Sequence, residues 1–232
     1  PTITVAGVVS GDTVKMFTDG ACTALVGTAE VTGGDTSVDV TSSELTQDSY
    51  TFYANSTDNV GNVSVCSTET VAYVLDTTKP TTTVVITNAI YSPTTFVDAS
   101  TIHGTASDTG GVSSVEIKIQ RGSDSYYWPA SGSTWTETET WITASGTTSW
   151  TYTINDDNFA NGRYTVTAKA TDSAGNTTSE SFGSDYFDFD ETAPTKPSGL
   201  SLKTPATSPN NDTTPTITVA GVVSGDTVKM FT

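Results

Sequence analysis

Positive charge is scarce in this sequence. Nine lysines and arginines stand against 26 aspartates and glutamates, a net charge of −17. A polyanion needs a basic face to bind, so the balance argues against nucleic acid as a partner. His103 is the lone histidine, and Cys22 and Cys66 are the only cysteines. Without a CxxC or a Cys/His cluster, nothing supports a structural zinc site. One histidine, no Gly-x-Ser-x-Gly and no Ser/His/Asp arrangement also argue against nucleophilic catalysis, and the chain is not expected to be an enzyme. No apolar run approaches the roughly 18 residues of a spanning helix, so no membrane insertion is expected in this segment. Nor is there a secretory signal, which says nothing about export in a chain that opens inside a repeat.

Helical periodicity is missing as well. In its place, apolar and polar residues alternate almost throughout, in a chain rich in Thr, Ser, Gly and Asn. The clearest run is Val115-Glu116-Ile117-Lys118-Ile119-Gln120, apolar on one face and polar on the other. Further strands are predicted over 2–6, 13–18, 37–41, 50–57, 71–75, 149–154, 164–171 and 199–203. Many short strands punctuated by Gly, Asn, Asp and Ser predict an all-β sandwich architecture.

Two repeats organise these strands. Residues 1–18, PTITVAGVVSGDTVKMFT, recur letter for letter at 215–232, a spacing of 214 residues. The chain is therefore one period of a longer array plus the opening of the next. Inside the period, 50–62 aligns with 164–176, and the same offset of 114 carries Asp76-Thr77-Thr78-Lys79-Pro80 onto Asp190-Glu191-Thr192-Ala193-Pro194. Proline stiffens such a joint and stops strand pairing there. The predicted division is 1–76, then 77–190 with an aromatic-rich insert at 121–150, then 191–232 as linker and opening strands of the next repeat. On this reading the first domain takes its first strand from the preceding period. The unfinished edges of 191–232 then call for strands from neighbours.

Thr171-Asp172-Ser173-Ala174-Gly175-Asn176 and Thr57-Asp58-Asn59-Val60-Gly61-Asn62, with the Asp-x-Thr-x-Pro joints, resemble the bacterial immunoglobulin-like repeats of very large surface proteins and adhesins. Gly162-Arg163-Tyr164-Thr165-Val166 resembles the start of the F strand in that fold, where a tyrosine hydroxyl bonds back to the backbone. The resemblance implies tandem immunoglobulin-like β-sandwiches in an extracellular, cell-surface protein. It implies a stiff shaft whose partners are neighbouring repeats of the same protein, with polymerisation by strand exchange or repeat packing as a further expectation. The alternative is a binding module for surface glycans or for host or prey cell proteins.

Several residues are candidates for chemistry. A Cys22–Cys66 disulfide is the favoured reading in an oxidising compartment, against two buried thiols. It would clamp the turn after the second strand to the final strand rather than the antibody-type positions. In a sandwich, the start of the first strand and the B–C and F–G turns lie at one end. Asp76, Asp108, Asp172 and the Asn176 side chain are therefore expected to converge, as oxygen ligands for Ca²⁺. The resemblance agrees, since some such adhesins rigidify their junctions with Ca²⁺. The equivalent set is Asp12, Asp58 and Asn62, completed by the preceding period's Asp190; within this chain Asp190 would meet Asp226. The competing reading is that these side chains only bond their own turns. Tyr126, Tyr127, Trp128 and Trp135 of the insert either present an exposed stacking platform or cover the wide end of the sandwich. Glu137 and Glu139 alternate on one face without a cleft, and Lys118 and Lys169 point outward, away from any isopeptide bond. The Asn-x-Ser/Thr sequons at Asn55, Asn62, Asn176 and Asn211 read as incidental.

Overall fold

The computed structural model describes residues 1–86, 90–93, 95, 102–129, 134–154, 159–178 and 183–231. Among them every regular element is a strand, and no helix is long and apolar enough to cross a membrane. The first six strands are β1 (Thr2–Ala6), β2 (Thr13–Phe17), β3 (Leu25–Glu30), β4 (Ser37–Thr41), β5 (Asp48–Thr57) and β6 (Val71–Leu75). β1 pairs with β4, and the other four form a sheet in the order β3-β2-β5-β6. Alternation directs one face of each sheet inward. Val14 and Met16 of β2, Val40 of β4 and Phe52 of β5 are all but fully buried, with Ile3 and Val5 of β1 packed against them. Fully burying a side chain of this size contributes roughly 1.5–3 kcal/mol.

The larger group begins after Pro80 with β7 (Thr81–Thr82), β8 (Val85–Ile86) and β9 (Ile90–Tyr91). It continues through β10 (Ile102–Ser107), β11 (Val112–Arg121), β12 (Ile142–Thr143), β13 (Ser145–Gly146) and β14 (Ser149–Tyr152). It ends in β15 (Gly162–Asp172) and β16 (Gly183–Phe189). One sheet runs β13-β14-β10-β7, with β8 also on β10; the other runs β12-β11-β15-β16-β9. Between them lie Trp150 from β14, Ile117 and Ile119 from β11, Tyr164 and Val166 from β15 and Phe187 from β16, all with essentially no exposed surface. β17 (Gly199–Thr204) and β18 (Thr216–Ala220) form a separate antiparallel pair whose apolar residues Leu200 and Leu202 stay exposed.

The internal offset carries into the strands. β5 and β15, 114 residues apart, each carry as their third residue a tyrosine that turns a corner. The Tyr50 hydroxyl donates to the Thr46 carbonyl at 2.7 Å, and the Tyr164 hydroxyl to the Ala160 carbonyl at 2.9 Å. Beyond the β15 turn an isolated bridge joins Thr171 to Thr177, and β16 pairs with β15 from Gly183 to Phe189. Thr178 turns inward. Its Oγ1 accepts from the Ala170 amide at 2.8 Å and its own amide donates to the Ala170 carbonyl at 2.8 Å. A side chain thus takes one of the ladder's places.

Candidate functional site

The joint 76–80 brings three acids together. Asp76 directly follows β6, Asp108 follows β10, and Asp172 ends β15. One carboxylate oxygen from each lies within 4.8 Å of the other two. Asp76 and Asp108 are half-buried, and Asp172 is 2 % exposed. Among the described residues this is the one such group of three or more acids, histidines or cysteines. Oxygens that share one coordination sphere at 2.3–2.6 Å are at most about 5 Å apart, so the spacing suits a Ca²⁺-sized ion.

Local turns hold each carboxylate. Asp76 Oδ1 accepts from the Thr78 amide at 2.9 Å, and Asp108 Oδ1 from the Gly110 amide at 2.7 Å. Asp172 Oδ1 accepts from the amides of Ala174 and Asn176 at 2.9 and 2.8 Å, and its Oδ2 from the Asn176 side chain at 2.8 Å. Burial pushes the Asp172 carboxyl up, but the hydrogen bonds from Asn176, Ala174 and Gly175 outweigh it and hold the group below the usual range. It is therefore charged at neutral pH. Gly110 makes the approach possible, because a Cβ there would collide with Asp76 Oδ2 and lie 3.3 Å from Asp108 Oδ1.

Asn176 also crosses the joint, donating its side-chain amide to the Asp76 carbonyl at 3.0 Å. On the far side of the joint, Gln47 Nε2 donates to Thr78 Oγ1 at 2.6 Å, and Gln47 Oε1 accepts from Thr77 Oγ1 at 2.9 Å. A cleft of about 340 Å³ runs between the two groups, lined by Gln47, Asp48, Leu75 and Asp76 on one side and Thr109 and Gly110 on the other. The next joint repeats the pattern. Asn161, at the position of Gln47, donates to Thr192 Oγ1 at 2.6 Å and accepts from the Glu191 amide at 2.7 Å.

The remaining acids sit in turns. Asp58 accepts from the Val60 and Asn62 amides and the Asn62 side chain at 2.8–3.0 Å, the pattern of Asp172 without the neighbouring acids. Asp12 and Asp226 accept from the amides of Val9 and Val223 at 3.2 and 3.1 Å. Asp190 accepts from the Thr192 amide at 2.8 Å. None of these four joins a group of three among the described residues.

Cys22 and Cys66 form a disulfide with a Cα–Cα distance of 5.8 Å. Cys22 lies in the turn after β2 with φ 53°, a conformation held by Asp19, which accepts from the amides of Ala21, Thr23 and Ala24. Cys66 lies in the segment leading to β6.

Within the insert, Trp128 is 6 % exposed, stacked on Phe159 with ring centroids 5.6 Å apart. Trp135 packs edge-on to Trp128 at 5.3 Å, with the Arg121 guanidinium 4.9 Å from its ring. Tyr126 donates its hydroxyl to Glu137 at 2.5 Å, and Tyr127 accepts from Gln120 Nε2 at 3.1 Å. Trp128 thus lies with its indole folded onto Phe159. The alternation did not reveal the lysine–tryptophan stack on the outer face of β11 and β15. Lys118 and Lys169 lie 4.9 and 4.4 Å from the Trp141 ring and pair with Glu139 and Glu116 at 3.2 and 3.0 Å. Only cross-strand register joins these residues.

Residues 83–168 match the family model of the bacterial Ig domain. No curated protein matches the chain. Among solved structures, a tetra-tandem repeat in the extending region of a large adhesion protein is 20 % identical, covering 87 % of this chain and 47 % of its own, with a TM-score of 0.35. A Ca²⁺-stabilized adhesin that helps an Antarctic bacterium reach out and bind ice is 18 % identical, with coverages of 87 % and 46 % and a TM-score of 0.43. A 1.5-MDa bacterial ice-binding adhesin is 21 % identical, with coverages of 82 % and 58 % and a TM-score of 0.43. This chain spans about half the length of the first of these, 47 %.

Proposed function

From a chain whose residues 83–168 match the bacterial Ig domain family, we propose that this segment is part of the shaft of a bacterial cell-surface adhesin. It works outside the cell by keeping its length and shape, in contact with neighbouring repeats, and the repeats associate through exchanged strands or end-to-end packing. The division into sandwiches at 1–76 and 77–190, with 191–232 opening the next repeat, belongs to the same reading. The observation that carries it is the joint, where Asp76, Asp108 and Asp172 meet within 4.8 Å at the boundary of two sandwiches.

Three charged carboxylates this close repel one another, and a divalent cation offsets that repulsion. Each keeps lone pairs beyond its turn bonds. We assign the Ca²⁺ ligands to Asp76, Asp108 and Asp172, with Asn176 positioning Asp172 and the Asp76 backbone. Bound there, the cation ties β6, the β10–β11 turn and the β15 turn into one unit and limits bending at 76–80. The insert does not favour a glycan or host-protein platform, since Trp128 is buried and Trp135 packs on it. Thermal melting with 2 mM-scale, that is roughly millimolar, Ca²⁺ and with EGTA tests the assignment. The reading expects a higher midpoint in Ca²⁺, abolished by Asp108→Asn; an unchanged midpoint removes the cation.

A further inference from the structure

We propose that the groove along the outer edge of β1 seats a strand of sequence Gly-Leu-Ser-Leu-Lys-Thr, a second copy of Gly199–Thr204 delivered by the repeat that precedes this one. The proposal rests on the shaft reading and deepens it, naming the segment that joins one repeat to the next and its register.

The chain carries its own template. β18 has the sequence of β1, and both show the same alternation of exposed and half-buried residues. Yet they hold different partners. β1 pairs with β4, and β18 pairs with β17. These partners occupy opposite edges. The Pro1 carbonyl accepts from Ser42 at 2.9 Å and the Gly7 amide donates to Thr36 at 3.0 Å, so odd-numbered backbone groups serve the β4 side. The Ala220 carbonyl, counterpart of Ala6, accepts from Ser198 at 2.8 Å. Successive residues of a strand aim their backbone groups at opposite edges. The backbone groups of Thr2, Thr4 and Ala6 therefore face an edge that β18 shows occupied by β17. Superimposing the copies sets Gly199 opposite Ala6, Leu200 opposite Val5, Ser201 opposite Thr4 and Leu202 opposite Ile3.

The space is there. A groove of about 460 Å³ beside β1 is lined by Ile3, Val5, Met16, Phe52 and Val71. In the terminal hairpin, Leu200 shares a groove of similar volume with Val219, Val228 and Met230, the counterparts of Val5, Val14 and Met16. Gly7 and Gly221 make the same comparison at a single atom. Both are left-handed, with φ +79° and +74°. A Cβ on Gly221 would collide with Ser198, whose amide nitrogen lies 2.8 Å from it, whereas nothing lies within 4 Å of the same point on Gly7. The larger sandwich shows the completed arrangement, with β7 and β8, which follow the 76–80 joint, paired on β10. β17 follows the equivalent joint at 190–194.

The test extends the chain at its N-terminus with a copy of residues 191–214. A second extended chain carries Leu200→Asp and Leu202→Asp within that added copy only. The unaltered extension is expected to raise the melting midpoint of the first sandwich by about 5 °C or more. It should also slow hydrogen exchange at the Thr4 and Ala6 amides at least about tenfold. The Asp-bearing extension should do neither. Equal behaviour of the two extended chains overturns the proposal. So does finding the unextended chain already dimeric with those amides protected, which would assign the groove to a second copy in trans. Neither outcome touches the Ca²⁺ dependence of the 76–80 joint, so the shaft reading stands or falls separately.

Discussion

Asn176 and Asp76 are 100 residues apart in sequence and 3.0 Å apart in space, the Asn176 amide donating to the Asp76 carbonyl. The same side chain holds Asp172 at 2.8 Å. One residue thus spans the last turn of the larger sandwich and the peptide that leaves the smaller one. Asn176→Ala removes both bonds and is expected to cost about 1–3 kcal/mol, because the buried Asp172 carboxylate and the Asp76 carbonyl lose a donor each. Limited proteolysis should then cleave at 76–80 sooner than in the parent chain, with the two sandwiches released intact.

The two tyrosine corners give an ordered pair of expectations. Tyr164 is fully buried, and its hydroxyl donates to the Ala160 carbonyl and accepts from the Ala160 amide at 2.9 and 3.0 Å. Tyr50 is half-buried and donates to Thr46 at 2.7 Å. Tyr164→Phe removes two hydrogen bonds at a buried hydroxyl and should cost about 1–3 kcal/mol, whereas Tyr50→Phe, at a half-buried ring, should cost about 1 kcal/mol or less. Urea melts of the two variants check the order.

The disulfide closes a loop with a sequence separation of 44 residues. Chain entropy alone then gives about 4 kcal/mol, and measured values usually fall between about 2 and 4. Replacing both cysteines, Cys22→Ser with Cys66→Ser, should lower the melting midpoint of the first sandwich by at least about 8 °C and leave the second unmoved. Calorimetry of the double variant reads both transitions.

Acid should act through two matching turns. Hydrogen bonds from the Asn62 side chain and backbone hold the Asp58 carboxyl below its usual range, and Asn176 does the same for Asp172 against the opposing effect of burial. Each group therefore binds its proton more weakly in the folded state. Its contribution is complete above the unfolded value near about 3.9 and is lost as pH falls through the lower folded value. Melting midpoints in EGTA should stay level from pH 7 to about 5 and drop below about 4. Asn62→Ala should flatten the acid limb of the first sandwich; an unchanged limb contradicts the assignment.

Much of this architecture is legible in the residues because the two periods are. The offset of 114 aligns Tyr50 with Tyr164 and Asp58 with Asp172, and each pair makes the same bonds. The same offset also links Gln47 to Asn161, a joint contact that the letters alone hide because an amide one methylene shorter does the work. β3 escaped notice because Leu25 and Gly27 break its alternation and Leu25 is 52 % exposed. The Lys118–Trp141–Lys169 stack escaped for another reason. It depends on β11 and β15 lying in register, with Glu116 opposite Lys169 and Ile117 opposite Ala168, which no single-strand pattern specifies. Trp128 shows the same limit, since its hairpin could fold either way until Phe159 is placed beneath it.

The central claim is that the joint at 76–80 is rigid and held by a cation. Small-angle X-ray scattering of the chain in Ca²⁺, compared with EGTA and with Asp108→Asn in Ca²⁺, tests it most directly. The account predicts one rigid pair of sandwiches in Ca²⁺ and a broader spread of inter-sandwich distances in the other two samples. The same spread of distances in all three would contradict it.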